Sequence, residues 1–67
     1  MNENVLSLKQ WRVVKDKTQE EVAEHIGVHI NTFRRWEKNY KLIPLGYMLK
    51  IAEFLDVRLN NFDFFCN

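Results

Sequence analysis

Apolar residues recur at helical spacing in four stretches of the chain, and short polar or glycine-containing breaks separate them. The first stretch predicts a helix over residues 5–15, in which Leu8, Trp11 and Val14 are three apart and face inward. The pattern then breaks at Asp16. This helix is therefore expected to contribute one apolar face to the core.

The second stretch opens with a helix-capping sequence. Thr18 and Glu21 are three apart, so the threonine oxygen can accept from the amide of residue 21 while the glutamate accepts from the amide of residue 18. Gly27 follows and can end the helix, because glycine takes positive φ at no steric cost. The apolar stripe of this predicted two-turn helix consists of Val22, Ala23 and Ile26.

A third helix is predicted within residues 29–38, after a turn of three or four residues. It starts at about Ile30, and Phe33 and Trp36 lie on one face. Asn39 is a stop signal, because asparagine tolerates the left-handed conformation better than any residue but glycine. The pattern thus predicts two short helices joined by a tight turn.

A fourth helix is predicted over residues 45–55, after the break at Pro44. It is apolar around much of its circumference, which places it at the centre of the core. Its apolar positions are Met48, Leu49, Ile51, Ala52, Phe54 and Leu55. A short fifth helix or turn over residues 59–65 closes the fold, so the predicted fold class is all-α with four to five helices.

The composition indicates one compact domain over residues 1–67. Of the 67 residues, 46% are hydrophobic and 28% charged, with two Gly and one Pro. No apolar run reaches the roughly 18 residues of a membrane span, and the N-terminus lacks a signal-peptide pattern, so a cytoplasmic location without membrane contact is expected. Cys66 has no second cysteine to pair with and is given no function.

The net charge is only +1, but its distribution is uneven. Residues 29–41 contain four basic side chains and one acidic side chain, Glu37. The basic residues are Arg34, Arg35, Lys38 and Lys41. Positive charge is therefore concentrated in and just after the third helix.

The outward face of the third helix carries side chains that can read DNA bases. Asn31 and Arg35 lie opposite the apolar face, flanked by Arg34 and Lys38, with Ile30 at the edge. In the major groove, Arg reads guanine, Asn reads adenine and apolar groups contact the thymine methyl. An ordinary solvated helix also carries charge, but the short capped helix and glycine turn that precede this one favour DNA.

Glu37 lies on the inward edge of the third helix, where an unpaired charge is costly. Arg12, on the otherwise apolar first helix, is the candidate partner, and its planar guanidinium can meet a carboxylate with two parallel bonds. We therefore predict a structural ion pair between the first and third helices.

Five residues around the third helix are candidate phosphate ligands. Gln19 opens the second helix, where backbone amides and the helix dipole already favour an anion. His29 starts the third helix, and Lys38, Tyr40 and Lys41 lie at or just beyond its end. Packing in the core is an equal alternative for Tyr40.

Neither a metal site nor a catalytic site is expected. His25 and His29 are four apart, a spacing typical of metal ligands on one helix, but Gly27 breaks the helix between them and no third ligand is near. No nucleophile or second carboxylate has an evident place beside Glu37. The chain is therefore interpreted as a protein without cofactor that is not an enzyme.

Residues 8–59 together resemble the lambda-repressor-like family of DNA-binding domains, which includes phage repressors, Cro proteins and small bacterial regulators. The match is carried by Leu8, Arg12, TQEEVAEHIGV (18–28), NTFRRWEKN (31–39), Pro44 and LKIAEFLDV (49–57). It implies a fold of four or five helices in which the second and third form a helix-turn-helix. The site residues it implies are a phosphate-binding Gln19, base-reading Ile30, Asn31 and Arg35, and a buried Arg12–Glu37 pair.

Two departures from the family pattern bear on the site. His29 stands where relatives usually carry a capping Ser or Thr, so the third helix is expected to lack up to about 1 kcal/mol of capping energy. Leu42 and Ile43 lie where relatives often have basic phosphate contacts, so weaker affinity is expected, with phosphate binding resting more on Lys38 and Lys41.

These patterns predict a phage or bacterial transcriptional regulator that binds a palindromic operator in double-stranded DNA as a homodimer, because one domain reads too few base pairs. The dimer surface is expected in the C-terminal segment, and packing of the same side chains on the monomer core is an equal alternative. These side chains are Leu59, Phe62, Phe64 and Phe65. A protein-interaction module, such as an antitoxin or phage accessory protein, is the second hypothesis, and the near-neutral charge favours it.

Overall fold

The computed structural model describes residues 5–64. The α-helices are α1 (Leu8–Val14), α2 (Gln19–Ile26), α3 (Ile30–Lys38) and α4 (Leu45–Leu55). The short 3-10 helices are η1 (Tyr40–Leu42) and η2 (Leu59–Asn61). Residues 5–64 contain no strand beyond an isolated parallel bridge between Leu6 and Phe62, so the predicted all-α class is confirmed. Over the same residues, no helix has the length and apolar character needed to cross a membrane.

Helix α1 is shorter than predicted. Ser7 caps it through a reciprocal pair of hydrogen bonds with Gln10, so Val5 and Leu6 precede the helix. Only the first turn packs deeply in the core, and the inward orientation predicted for Val14 is wrong, since this residue is 60% exposed. At the end of α1, Val13 and Val14 therefore face solvent, while Trp11 and Arg12 of the same turn pack inward.

The capping box and the glycine stop predicted for α2 are both confirmed. Thr18 Oγ1 accepts from the Glu21 amide at 3.0 Å, and Glu21 Oε1 accepts from the Thr18 amide at 2.9 Å. Gly27 has φ +81° and its amide donates to the Ala23 carbonyl, which ends the helix in the left-handed conformation. The buried side chains of α2 are Val22, Ala23 and Ile26, as predicted.

Helix α3 starts and ends where the pattern predicts, but both of its caps differ from the prediction. His29 Nδ1 accepts from the Asn31 amide at 3.0 Å, so the expected lack of a side-chain cap is wrong: an imidazole nitrogen replaces the hydroxyl. Asn39 ends the helix with φ −148°, an extended and not a left-handed conformation. Its Oδ1 accepts from the Lys41 amide instead, which caps η1.

Helix α4 has the predicted bounds and lies centrally in the core. Its buried residues are Met48, Ile51, Ala52 and Leu55, which pack with residues of α2 and α3. Leu49 is the exception, because it faces solvent and not the core as predicted. The helix ends at Asp56, which adopts the left-handed conformation with φ +56°.

The C-terminal segment closes the core without a fifth α-helix. After η2, Phe62 is buried and its ring meets the edge of Trp11 at a centroid distance of 6.5 Å. Leu59 and Phe64 are half-buried against the same core. These contacts favour core packing over the dimer surface expected here, while Phe65 lies outside the described residues.

Candidate nucleic-acid interface

Helices α2 and α3 form a helix-turn-helix whose inner side is held by the core. The turn between them consists of Gly27, Val28 and His29. Phe33 and Trp36 are buried, which fixes the rotation of α3 about its axis. The opposite face of α3 is consequently directed to solvent.

The candidate base readers lie on this outward face. Asn31, Arg34 and Arg35 are exposed, and Ile30 is half-buried at the edge of the core. Within residues 5–64, the Arg35 guanidinium has no hydrogen bond or ion pair, so all its donors are available to a ligand. The face therefore presents hydrogen-bond donors at the spacing of one helical turn.

Arg34 connects this face to α2, a link that sequence reasoning missed. Its Nε donates to Gln19 Oε1 at 3.4 Å, and its Nη1 donates to Asn31 Oδ1 at 3.3 Å. Asn31 and Arg34 are three apart on α3, the spacing at which helical side chains meet, so that half of the link was visible in the sequence. Arg34 thus joins a predicted phosphate ligand to a predicted base reader.

A network of buried and half-buried polar side chains holds α1, α2 and α3 together beneath the outward face. Arg12 Nε donates to Glu37 Oε2 at 2.7 Å, and Gln19 Nε2 donates to Glu37 Oε1 at 2.7 Å. Arg12 Nη1 donates to the Lys17 carbonyl at 2.8 Å, so the guanidinium makes one bond to the carboxylate and not two parallel bonds. Each carboxylate oxygen of Glu37 has its own partner, which compensates for a residue that is only 8% exposed.

The candidate phosphate ligands fall into two groups. Lys38, Lys41 and His29 are exposed around α3, and Gln19 is half-buried with its amide oriented by Glu37. Tyr40 is 5% exposed and belongs to the core, so the structure supports its packing role.

Lys9 is a basic residue at the interface that sequence reasoning missed. It is exposed on α1 and lines an open depression of about 490 Å³ together with Gln19, Arg34, Glu37 and Lys38. The sequence contains a signal for this position: Lys9 is three residues before Arg12 and therefore lies on the same face of α1, which is directed at α3. Positive charge therefore lies on both sides of Gln19.

The two histidines have separate roles in the fold. His25 stacks on Phe54 with a centroid distance of 4.0 Å, and His29 caps α3. Because Nδ1 of His29 accepts a hydrogen bond, its Nε2 carries the proton in the neutral ring and is a donor. Within residues 5–64, no three His, Cys, Asp or Glu side chains are grouped as metal ligands would be.

Comparison with known families identifies the class of this protein. A helix-turn-helix family model matches residues 8–62, which is most of the chain. The chain belongs to this family, the lambda-repressor-like helix-turn-helix proteins, and is a DNA-binding helix-turn-helix domain. No curated protein and no solved structure matches the chain.

Proposed function

We propose that the chain is a sequence-specific, repressor-like transcriptional regulator that inserts α3 into the major groove of an operator half-site. The observation that carries this proposal is the outward face of α3, where Asn31 and Arg35 are exposed on a helix whose other face is locked in the core. A rigid helix with exposed amide and guanidinium groups fits the dimensions and the hydrogen-bond pattern of the major groove. Occupancy of a promoter by such a domain regulates transcription by excluding or recruiting polymerase.

The base-reading role falls on four residues of α3. Arg35 has free donors for the O6 and N7 atoms of guanine, and Asn31 and Arg34 lie beside it. Ile30, at the edge of the face, is placed to contact a thymine methyl group. Each well-formed bidentate contact contributes about 1–3 kcal/mol of discrimination between bases.

Phosphate contacts position α3 without reading sequence. Lys9 and Gln19 hold one strand at the α1 and α2 side, while Lys38 at the end of α3 and Lys41 just beyond it bind the backbone there. His29 donates from Nε2 at the start of α3. The low net charge of +1 is compatible with this role, because the cations are grouped around one face.

The protein acts as a homodimer on a palindromic operator in this proposal. A single recognition helix contacts only a few base pairs, and two-fold symmetry doubles the site that is read. Half-sites are then expected about 34 Å apart, which corresponds to one turn of B-DNA.

The experiment that tests the proposal is selection of bound sequences from a random duplex library, followed by titration of the selected duplex at two salt concentrations. A palindromic motif is expected. The slope of log K against log salt concentration should be smaller by about one unit in Lys9→Ala, and likewise in Lys41→Ala, than in the wild-type protein. Arg35→Ala should relax base preference, whereas Arg58→Ala, an exposed arginine outside α3, serves as the matched control. Equal losses of affinity on selected and random DNA in Arg35→Ala would refute base reading by that residue.

A protein-interaction module remains the second candidate function. It is favoured by the exposed apolar side chain of Leu42 at the position where basic phosphate contacts are usual in the family. DNA binding with a shallow salt dependence, or no enriched motif in the selection, would support this function over operator binding.

A further inference from the structure

Three leucines after α3 remain exposed although the core is complete. Leu42, Leu45 and Leu49 are 54%, 65% and 51% exposed. Leu45 and Leu49 are four apart on α4 and hence adjacent on its outer face, and Leu42 ends η1 three residues earlier. We call these residues the leucine row, and an apolar row of this kind is more typical of a contact surface than of a solvated helix face.

Gly46 lies between Leu45 and Leu49 on α4, and the fold of the monomer does not require a glycine there. A Cβ atom at this position would meet no atom within 4 Å, and its φ is not in the left-handed region. Glycine weakens a helix relative to alanine, so the fold itself gains nothing from it. An open depression of about 230 Å³ adjoins Gly46 and is lined by Pro44, Gly46, Tyr47 and Lys50.

We infer that the leucine row and Gly46 form the surface on which a second copy of this chain docks. The leucine side chains protrude, and Gly46, which has no side chain, forms a recess beside them on α4; a two-fold contact needs both on the same face of one molecule. When two α4 helices lie antiparallel with the axis midway between Gly46 and Leu49, each Leu49 faces the recess at Gly46 of the other copy.

Charge at the edges of this surface is also self-complementary. Lys50 and Glu53 are exposed on α4, and Lys41 is exposed on η1. In the antiparallel arrangement, Glu53 of each copy lies toward the η1 segment of the other, which carries Lys41. A second copy therefore meets opposite charge at both ends of the contact.

The position of the leucine row also suits a dimer on DNA, a point that rests on the proposed function. Half-sites about 34 Å apart place the two-fold axis about 17 Å from the centre of each recognition helix. Leu42 ends η1, which follows the C-terminal end of α3 directly after Asn39. The row thus begins just past the C-terminal end of the recognition helix, where it can reach a copy bound at the neighbouring half-site.

The contact is weak in the free protein. Three half-exposed leucines provide less than the roughly 800 Å² per partner that stable complexes bury. Two copies held on neighbouring half-sites have an effective concentration in the millimolar range, at which a weak contact forms. Association is therefore expected at high protein concentration and on the operator.

The test uses amide NMR spectra of the full chain without DNA, at about 0.05 mM and about 2 mM. Concentration-dependent shifts are expected over residues 41–50, and Leu49→Lys should abolish them. Val13→Lys is the matched control, because Val13 is 61% exposed on α1, outside the row. Absence of shifts at the higher concentration, or shifts on α1 that Val13→Lys removes, would overturn the inference.

Two further variants separate docking from folding. Gly46→Ala should raise the thermal midpoint by up to about 5 °C while weakening association at least threefold, because the new methyl group protrudes where Leu49 of the other copy docks. Neither Leu49→Lys nor Leu49→Glu should associate with itself, but the two variants should associate with each other when mixed. Gly46→Ala with unchanged association would contradict the two-fold contact. If the library selection enriches no motif, the proposed function is wrong, but the association measured without DNA still tests the docking surface independently.

Discussion

The Nη1 atom of Arg34 donates a hydrogen bond to Oδ1 of Asn31 at 3.3 Å, on the face of α3 that is directed to solvent. This contact uses one of the two lone pairs of the asparagine oxygen and orients the amide, while both N–H donors stay available. The bidentate contact with adenine needs the same oxygen to accept from N6–H while an N–H donates to N7, so the contact with Arg34 competes with it. While the contact persists, the bidentate contact of Asn31 with adenine is therefore disfavoured relative to simple donation from its N–H groups to an acceptor on any base.

We therefore predict that Arg34→Ala changes the base read by Asn31. Without the arginine, the amide is free to adopt the bidentate contact, so preference at that position should move toward adenine by about 1–3 kcal/mol. The measurement is library selection with the wild-type protein and the variant side by side. An identical motif for both proteins would show that the contact between Arg34 and Asn31 does not shape recognition.

Sequence reasoning predicted the features of this fold that depend on neighbours within one helical turn. The Thr18 and Glu21 cap, the left-handed Gly27 and the bounds of α4 are local, and the structure has all three. Each is fixed by hydrogen bonds or φ preferences of adjacent residues. The pattern of apolar residues was sufficient for them.

The rest depends on how the helices are placed against one another. Val14 and Leu49 have core-like spacing but face solvent, because the neighbouring elements do not cover them. The hydrogen bond between Gln19 and Glu37 joins residues 18 positions apart, and no local pattern encodes its geometry. The ion pair with Arg12 was predicted from the cost of burying an unpaired carboxylate and from the family resemblance. The second hydrogen bond of the Glu37 carboxylate, from Gln19, was not predicted.

Removal of the Glu37 carboxylate should destabilise the domain strongly. Glu37→Leu leaves the guanidinium of Arg12, whose side chain is 12% exposed, without its carboxylate, and breaking a buried ion pair costs about 3–5 kcal/mol. Urea denaturation followed by circular dichroism measures the loss. Addition of Arg12→Met should recover much of it, because the uncompensated charge is removed.

Glu24→Leu, at an exposed position on α2, is the control and should change the free energy of unfolding by less than about 0.5 kcal/mol. A Glu37→Leu variant as stable as this control would mean that the ion pair contributes nothing to the fold. A double variant as unstable as Glu37→Leu alone would show that the buried charge is not the cause.

The capping box makes part of the stability dependent on pH. The pKa of Glu21 lies below its usual value of 4.5, mainly because the backbone N–H of Thr18 donates to the carboxylate, with the Thr18 side chain and Lys17 contributing in the same direction. A carboxyl whose pKa is lowered by folding stabilises the folded state above its unfolded pKa, and this contribution is lost as pH falls through the lowered value.

Glu21→Gln removes this titration while retaining an oxygen that can accept from the Thr18 amide. The thermal midpoints of the wild-type protein and the variant, measured from about pH 7 down to about pH 2.5, should converge at the acid end. A constant difference between the two proteins across this range would contradict a charge-dependent cap.

We expect one imidazole nitrogen of His29 to cap α3 and the other to donate a hydrogen bond to a DNA phosphate. Nδ1 accepts from the Asn31 amide at 3.0 Å, and the exposed ring offers Nε2–H to a phosphate. A serine at this position supplies the acceptor without the second nitrogen, so His29→Ser should leave the free energy of unfolding within about 0.5 kcal/mol of wild type. It should weaken binding to selected and random DNA alike, because a phosphate contact carries no base information.

His29→Ala provides the comparison, since it removes both interactions and should cost about 1 kcal/mol of stability in addition. Urea denaturation and DNA titration of both variants give the two quantities separately, and undiminished DNA binding by His29→Ser would assign His29 to the cap alone.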